Sequence, residues 1–270
     1  MTGPEAEALL LRRVQERTTE VVEALAAAGA DALRSASALP GWSRLTIACH
    51  LRYGAQASHR MTADALAGRP TSFYPGGRAA ERPATLVPGA GEDPAAVVAS
   101  LGEQRDVLHG AWASLRPAQW STPVGEPAGR ADLGPVTLGT LVLLRLTEVE
   151  VHGVDLGLDL SDWSETFVAH ALPFRLGWLA HRRSNHREVD GAPEGSWLLV
   201  AGDGPTWRVE VRAGRVSSVP AGPAASADAV LEGTSRDLLA LLLGRRPRRA
   251  LRTTGDRHLA AAFVRAFPGP

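Results

Sequence analysis

Apolar positions Ala8, Leu9, Val14, Val21, Val22 and Leu25 recur at three- and four-residue steps among charged neighbours, so residues 5–30 predict an amphipathic helix. The turn ALPGW follows, punctuated by Pro40 and Gly41. Ser43 then stands in N-cap position, and SRLTIACHLRYGAQASHRMTADALAG carries a second helix to about Gly68. Residues 69–94 are rich in Pro, Gly and Arg and break any period, which predicts a long irregular connection with room for one helical turn. A third helix is expected over 94–116, with Pro94 tolerated in its first turn, then a loop over 117–134. A fourth is expected from Pro135 through Leu158. Residues 147–152 (TEVEVH) also alternate, and a strand there would set Glu148, Glu150 and His152 on one wet face. The flanking LVLLRL and GVDLGL, with no turn signal between them, favour the helix. Four long helices joined by polar loops predict an antiparallel four-helix bundle over residues 1–162.

From SDWSE onward the texture changes. A helix is expected over 163–183, and GSWLLVAGDG, PTWRVEVRAGR and ADAVLEG then form three short runs bounded by Gly and Pro, which read as strands. SRDLLALLLGR restores a helical pattern, LRTTGD interrupts it, and HLAAAFVRAF closes the chain as a helix. Residues 163–270 therefore predict a small α+β domain.

The length of 270 residues and 44% hydrophobic content suffice for two cores. Twenty-nine basic residues, all arginine, balance twenty-nine acidic ones. No net field draws the chain to nucleic acid or an anionic membrane, so a small-molecule partner fits better, on a monomer or homodimer. Cys49 is the one cysteine and cannot form an internal disulfide, and the amino-terminal residues lack the basic start and apolar core of a signal peptide. The most apolar stretch, LGTLVLLRLTEVEV, is broken by Arg145, Glu148 and Glu150 and falls short of the roughly 18–20 residues of a membrane span. A cytoplasmic location is expected.

Residues four apart on a helix lie about 40° apart around its axis, so Glu148 and His152 project from one face. Asp155 falls close to that face, where it can orient His152 or act as a base, whereas Glu150 points elsewhere. His50 shares its stripe with Thr46, Ile47, Tyr53, Gly54 and Ala57, a mostly apolar face that should look into the bundle. Two histidines and a carboxylate on facing helices are a ligand set for catalytic zinc with an open position, and by ligand type for nickel or ferrous iron. Spacing alone is equally satisfied by a hydrogen-bonded core histidine and an ordinary helical Glu/His pair. His59, His109, His170, His181, His186 and His258 lack partners at ligand spacing. Cys49 points about 100° from His50 on a helix, and Trp42 reads as a packing anchor at the end of the bundle.

LPGWSRLTIACHL, FYPGGRAAER and RLTEVEVHGVDLG together resemble the metal-binding, DinB-like bundle of the mycothiol-dependent maleylpyruvate isomerase family. ADAVLEGTSRDLLALLLGR followed by TTGD resembles that family's sterol-carrier-protein-like carboxyl-terminal domain. The resemblance implies zinc held by His50, Glu148 and His152, mycothiol as cosubstrate, and an activity-supporting arginine best matched by Arg245, although Arg246, Arg248 and Arg249 crowd the same stretch. Arg78 and Arg82 become candidates for gripping an anionic substrate or the thiol. It further implies that a thiolate attacks a small electrophile. Room in the 69–94 and 117–134 loops leans the expectation slightly toward thiol transfer or exchange, as in natural-product biosynthesis. Cis-trans isomerisation of maleylpyruvate is the alternative, and a zinc hydrolase or a non-catalytic zinc-binding module are the other classes.

Overall fold

The computed structural model describes residues 4–127, 134, 136–185, 193–222, 224–267 and 269. Cα packing divides the chain into two units, Met1–Phe167 and Val168–Pro270.

The first unit is a bundle of four long helices: α1 (Pro4–Arg34), α2 (Arg44–Leu66), α4 (Pro94–Ala113) and α5 (Leu138–Asp155), with the short α3 (Arg78–Thr85) between the second and third of these. Helix α1 packs on α4 and α5, and α2 packs on the same pair. The apolar stripes meet in a core that buries Val21, Leu25, Ile47, Leu51, Met61, Leu101, Leu138 and Leu146. Trp112 is fully buried, and its indole N–H donates to Thr62 Oγ1 at 2.9 Å, so its polar atom does not go unsatisfied. Side-chain oxygens start three helices: Ser43 accepts from the Thr46 N–H, Asp93 from Ala96 and Thr137 from Thr140.

Four expectations need correction. The first helix runs on to Arg34, but through a break at Gly29, whose φ of 75° leaves helical space. The 69–94 connection holds the eight-residue α3 rather than a single turn. The third helix stops at Ala113, and a 3₁₀ turn at Pro117–Ser121 and strand β1 (Pro123–Val124) take up part of the next loop. The expected start of the fourth helix, Pro135, lies outside the described residues. Helix α5 begins at Leu138, because Val136 and Thr137 form strand β2 on β1. Residues 147–152 are helical, as their flanks predicted.

The second unit contains most of α6 (Glu165–Asn185) and a five-stranded mixed sheet. Strands β3 (Gly195–Ala201), β4 (Thr206–Arg212), β5 (Arg215–Ala221), β6 (Ala229–Gly233) and β7 (Arg252–Gly255) take the order β5-β4-β3-β6-β7. Only the central β3–β6 pair is parallel. Helices α7 (Ser235–Leu242) and α8 (Arg257–Ala266) complete it, with Trp197, Phe263 and Phe267 clustered in its core. Strands β5 and β7 are absent from the sequence expectation. Both are edge strands, and β5 alternates only weakly while β7 is exposed throughout, so neither carries the apolar signal of a strand. No described helix is long and apolar enough to cross a membrane.

Candidate metal centre

Helix α5 is buried on most of its circumference, and its few polar side chains are therefore committed to specific partners. Glu148 and His152 project from one face, and His50 of α2 meets them. His50 Nε2 lies 2.6 Å from Glu148 Oε2, and His152 Nε2 lies 3.6 Å from the same oxygen. One ligand atom from each of the three falls within 4.8 Å of the other two. The imidazole rings stand 4.9 Å apart and nearly perpendicular, at 84°. Behind His152, Asp155 Oδ2 lies 2.9 Å from Nδ1, which fixes the ring and leaves Nε2 facing the cluster. The Glu148 side chain is 38% exposed, so the cluster is reachable from outside the bundle.

Electrostatics separate the two histidines. Burial holds the His50 pKa below the ordinary imidazole value, against the pull of Glu148. His152 is buried too, but hydrogen bonds to Asp155 and Glu148 outweigh the desolvation and raise it to about 9. Partial desolvation would also raise Glu148, yet the two imidazoles hold it well below the usual carboxylate range. The donor set fits a divalent cation: two imidazoles, one carboxylate kept anionic, and a second acceptor already orienting one of the rings. His50 lacks that last support, since its Nδ1 is buried without a hydrogen-bond partner among the described residues.

Trp42 is more than an anchor at the end of the bundle. Its indole stacks on His152, with centroids 5.8 Å apart and planes 11° apart, and meets the His50 ring edge-on at 5.4 Å. Arg82, on α3, sets its guanidinium 5.4 Å over the same indole. Sequence reasoning missed the role of Trp42 because a tryptophan in a turn carries no ligand spacing; its signal was its position eight residues before His50. It also missed a second polar cluster. Glu150, on another face of α5, is fully buried against Arg13 at 2.9 Å and Arg17 at 3.3 Å, and accepts from Ser164 Oγ at 2.5 Å.

Arg78, the first residue of α3, is exposed. Arg245 belongs to the second unit, after α7, where its Nη1 donates to the Leu243 carbonyl at 3.3 Å. Cys49 is buried, and burial pushes its thiol up to about 11, so it stays protonated at neutral pH. His186 and the side chain of His181 lie outside the described residues.

Comparison with known proteins matches residues 8–157 to the mycothiol maleylpyruvate isomerase N-terminal domain and residues 162–262 to the C-terminal domain of the same family. The fold is shared with the crystal structure of the mycothiol-dependent maleylpyruvate isomerase: TM-score 0.67, 21% identity, 94% of this chain and 96% of that one covered. It is shared equally with a histidine-to-alanine mutant of that isomerase, at TM-score 0.68, 21% identity and the same coverage. No curated protein matches the chain.

Proposed function

We propose, given that the chain belongs to the mycothiol maleylpyruvate isomerase family, that it is a cytoplasmic enzyme that holds one divalent metal, zinc by ligand type, on His50, Glu148 and His152. Mycothiol is its thiol cosubstrate, and a small anionic electrophile its substrate. The observation that carries this reading is the convergence of the two imidazoles and one carboxylate at an opening, with Asp155 behind His152.

A divalent metal held there supplies a position at which a thiol is favoured as thiolate near neutral pH. Asp155 accepts the Nδ1 proton of His152 and keeps Nε2 forward; this supports an orienting role over that of a base. Trp42 covers one side of the cluster and excludes water there. Arg82, held over Trp42, puts a positive charge where a substrate carboxylate can dock, with the exposed Arg78 as a more distant reserve. Arg245 is assigned by family resemblance to steady negative charge on substrate or thiol.

Isomerisation is the better supported outcome. The sulfur adds to one carbon of a cis double bond, and the displaced electron pair moves onto the conjugated carbonyl. The former double bond rotates as a single bond, and the same electron pair then returns to expel the thiolate from the trans product. No atom is lost and the thiol is recovered. Thiol transfer or exchange on a larger substrate would need spacious 69–94 and 117–134 loops. In the described part of those loops, α3 lies against Trp42 through Arg82, and residues 117–124 are folded as a turn and a strand, which favours a small substrate.

The test is to incubate the metal-loaded protein with maleylpyruvate, with and without mycothiol. Conversion that requires the thiol without consuming it supports isomerisation. Stoichiometric thiol consumption points to transfer, thiol-independent hydrolysis to metal-activated water, and absence of any turnover to a binding module.

A further inference from the structure

Helix α3 buries none of its eight residues, and Pro83 inside it cannot donate a helical hydrogen bond. A helix this short does not hold itself in place, so its position depends on what ties it to its neighbours. Yet its Arg82 is set at a definite place, over the indole that touches both imidazoles of the metal cluster.

The ties begin in the segment before α3. On α2, Tyr53 Oη donates to the Phe73 carbonyl at 2.8 Å, and Arg60 Nη2 donates to the carbonyls of Phe73 at 3.0 Å and Ser72 at 3.2 Å. The buried Tyr74 ring stacks on Tyr53, with centroids 5.3 Å apart and planes 12° apart. Residues 72–74 are thereby fixed to α2. The chain then turns, with the Gly77 N–H donating to the Tyr74 carbonyl at 2.9 Å and Gly77 itself at a φ of 100°. Glu81, in the first turn of α3, reaches back across this turn. Its Oε1 accepts the Gly76 N–H at 2.5 Å, and its Oε2 stands 3.5 Å from Tyr53 Oη. Gly76 leaves room for that approach, since a Cβ there would lie 2.5 Å from Oε1. The carboxylate thus joins α3 to the fixed segment, and the residue that follows it is Arg82.

We propose that Glu81 is a positioning residue: by clamping the turn at Gly76 to the first turn of α3, it holds the Arg82 guanidinium over Trp42 before substrate arrives. A long arginine side chain left to itself samples many rotamers and must be ordered on binding, at a cost in affinity. The value of this to catalysis rests on the carboxylate-docking role given to Arg82 above; the placement of Arg82 does not.

Two readouts on the full-length, zinc-loaded protein test it. The first is the Trp42 indole N–H resonance in substrate-free protein, assigned by its loss in Trp42→Phe. Arg82→Ala marks where this resonance falls without the guanidinium. Glu81→Ala should move it at least halfway to that position, and Glu81→Gln, which keeps an acceptor for the Gly76 N–H, should stay near the wild type. A resonance unmoved in Arg82→Ala or in Glu81→Ala overturns the proposal. So does Glu81→Gln behaving as Glu81→Ala, which would assign the effect to charge. The second readout is turnover of maleylpyruvate with mycothiol. Glu81→Ala should raise KM about three- to tenfold, the cost of ordering one long side chain, with kcat nearly unchanged. The same substitution made in Arg82→Ala should add nothing, because positioning acts only through the side chain positioned. A KM that falls, as removal of a negative charge beside an anionic substrate would make it, overturns the proposal, and so does a full Glu81 penalty that persists without Arg82. If the resonances move as expected and Arg82→Ala leaves KM unchanged, the positioning stands and the docking role of Arg82 falls.

Discussion

His152 is conditioned by Asp155 in two ways that pull apart in experiment. The carboxylate orients the ring for a metal, and together with Glu148 it raises the proton affinity of the metal-free imidazole to about 9. A metal must displace that proton. Affinity for zinc should therefore rise with pH by about tenfold per unit up to roughly pH 9, rather than level off near the ordinary histidine value of about 6.5. Calorimetric titration across pH 6–9.5 in several buffers reads this directly. The same raised pKa stabilises the metal-stripped fold fully below about pH 6.5 and loses that contribution as pH climbs through about 9, so the urea midpoint of stripped protein should fall over that window. Asp155→Asn keeps the shape but removes the anionic acceptor, and should cost about 10- to 100-fold in metal affinity at neutral pH. An unchanged affinity would leave Asp155 with no part in the centre.

At the scale of elements, α5 is held in register from its far side. Arg13 and Arg17 of α1 grip Glu150, and Arg17 continues to Glu20 at 2.7 Å and to the Ser161 carbonyl at 2.7 Å. Gly153 sits under this group. A Cβ there would meet Arg17 Nε and Nη2 at 2.9 Å each, and a guanidinium pinned on several sides cannot yield. Gly153→Ala should thus destabilise the protein by about 1–3 kcal/mol, in spite of the better helix propensity of alanine. Gly110→Ala, whose added carbon meets nothing within 4 Å on α4, should be neutral or stabilising by up to about 1 kcal/mol. Thermal melts of the pair separate close packing from propensity. The helices themselves were legible because their apolar stripes, caps and breakers agree: Ser43 and the helical flanks of TEVEVH are where the pattern put them. The edge strands β5 and β7 were not, since exposed strands held by one neighbour impose little on their side chains. Helix α3 was hidden by Pro83 inside it and by glycines at its start.

Across the whole molecule, what the sequence conveyed was the two-part architecture and the three candidate ligands; what it withheld was long-range polar company. Spacing joins Glu148 to His152, and the inward stripe of α2 points His50 at them, but the sequence has no local mark that sets Trp42 on His152 or Arg17 under Gly153. Those contacts come from residues far apart in the chain and appear only when the helices pack. The charges inside LVLLRLTEVEVH were the available hint, since an arginine and two glutamates in a buried helix need partners. The proposed chemistry requires one cation shared by two histidines and a glutamate, and metal stoichiometry by elemental analysis after dialysis against buffered zinc tests this most directly. Wild-type protein should hold one zinc per chain, and His50→Ala, Glu148→Ala and His152→Ala should each retain less than about a tenth of it while staying folded. Full occupancy in any of the three variants, or no zinc in the wild type, would contradict it.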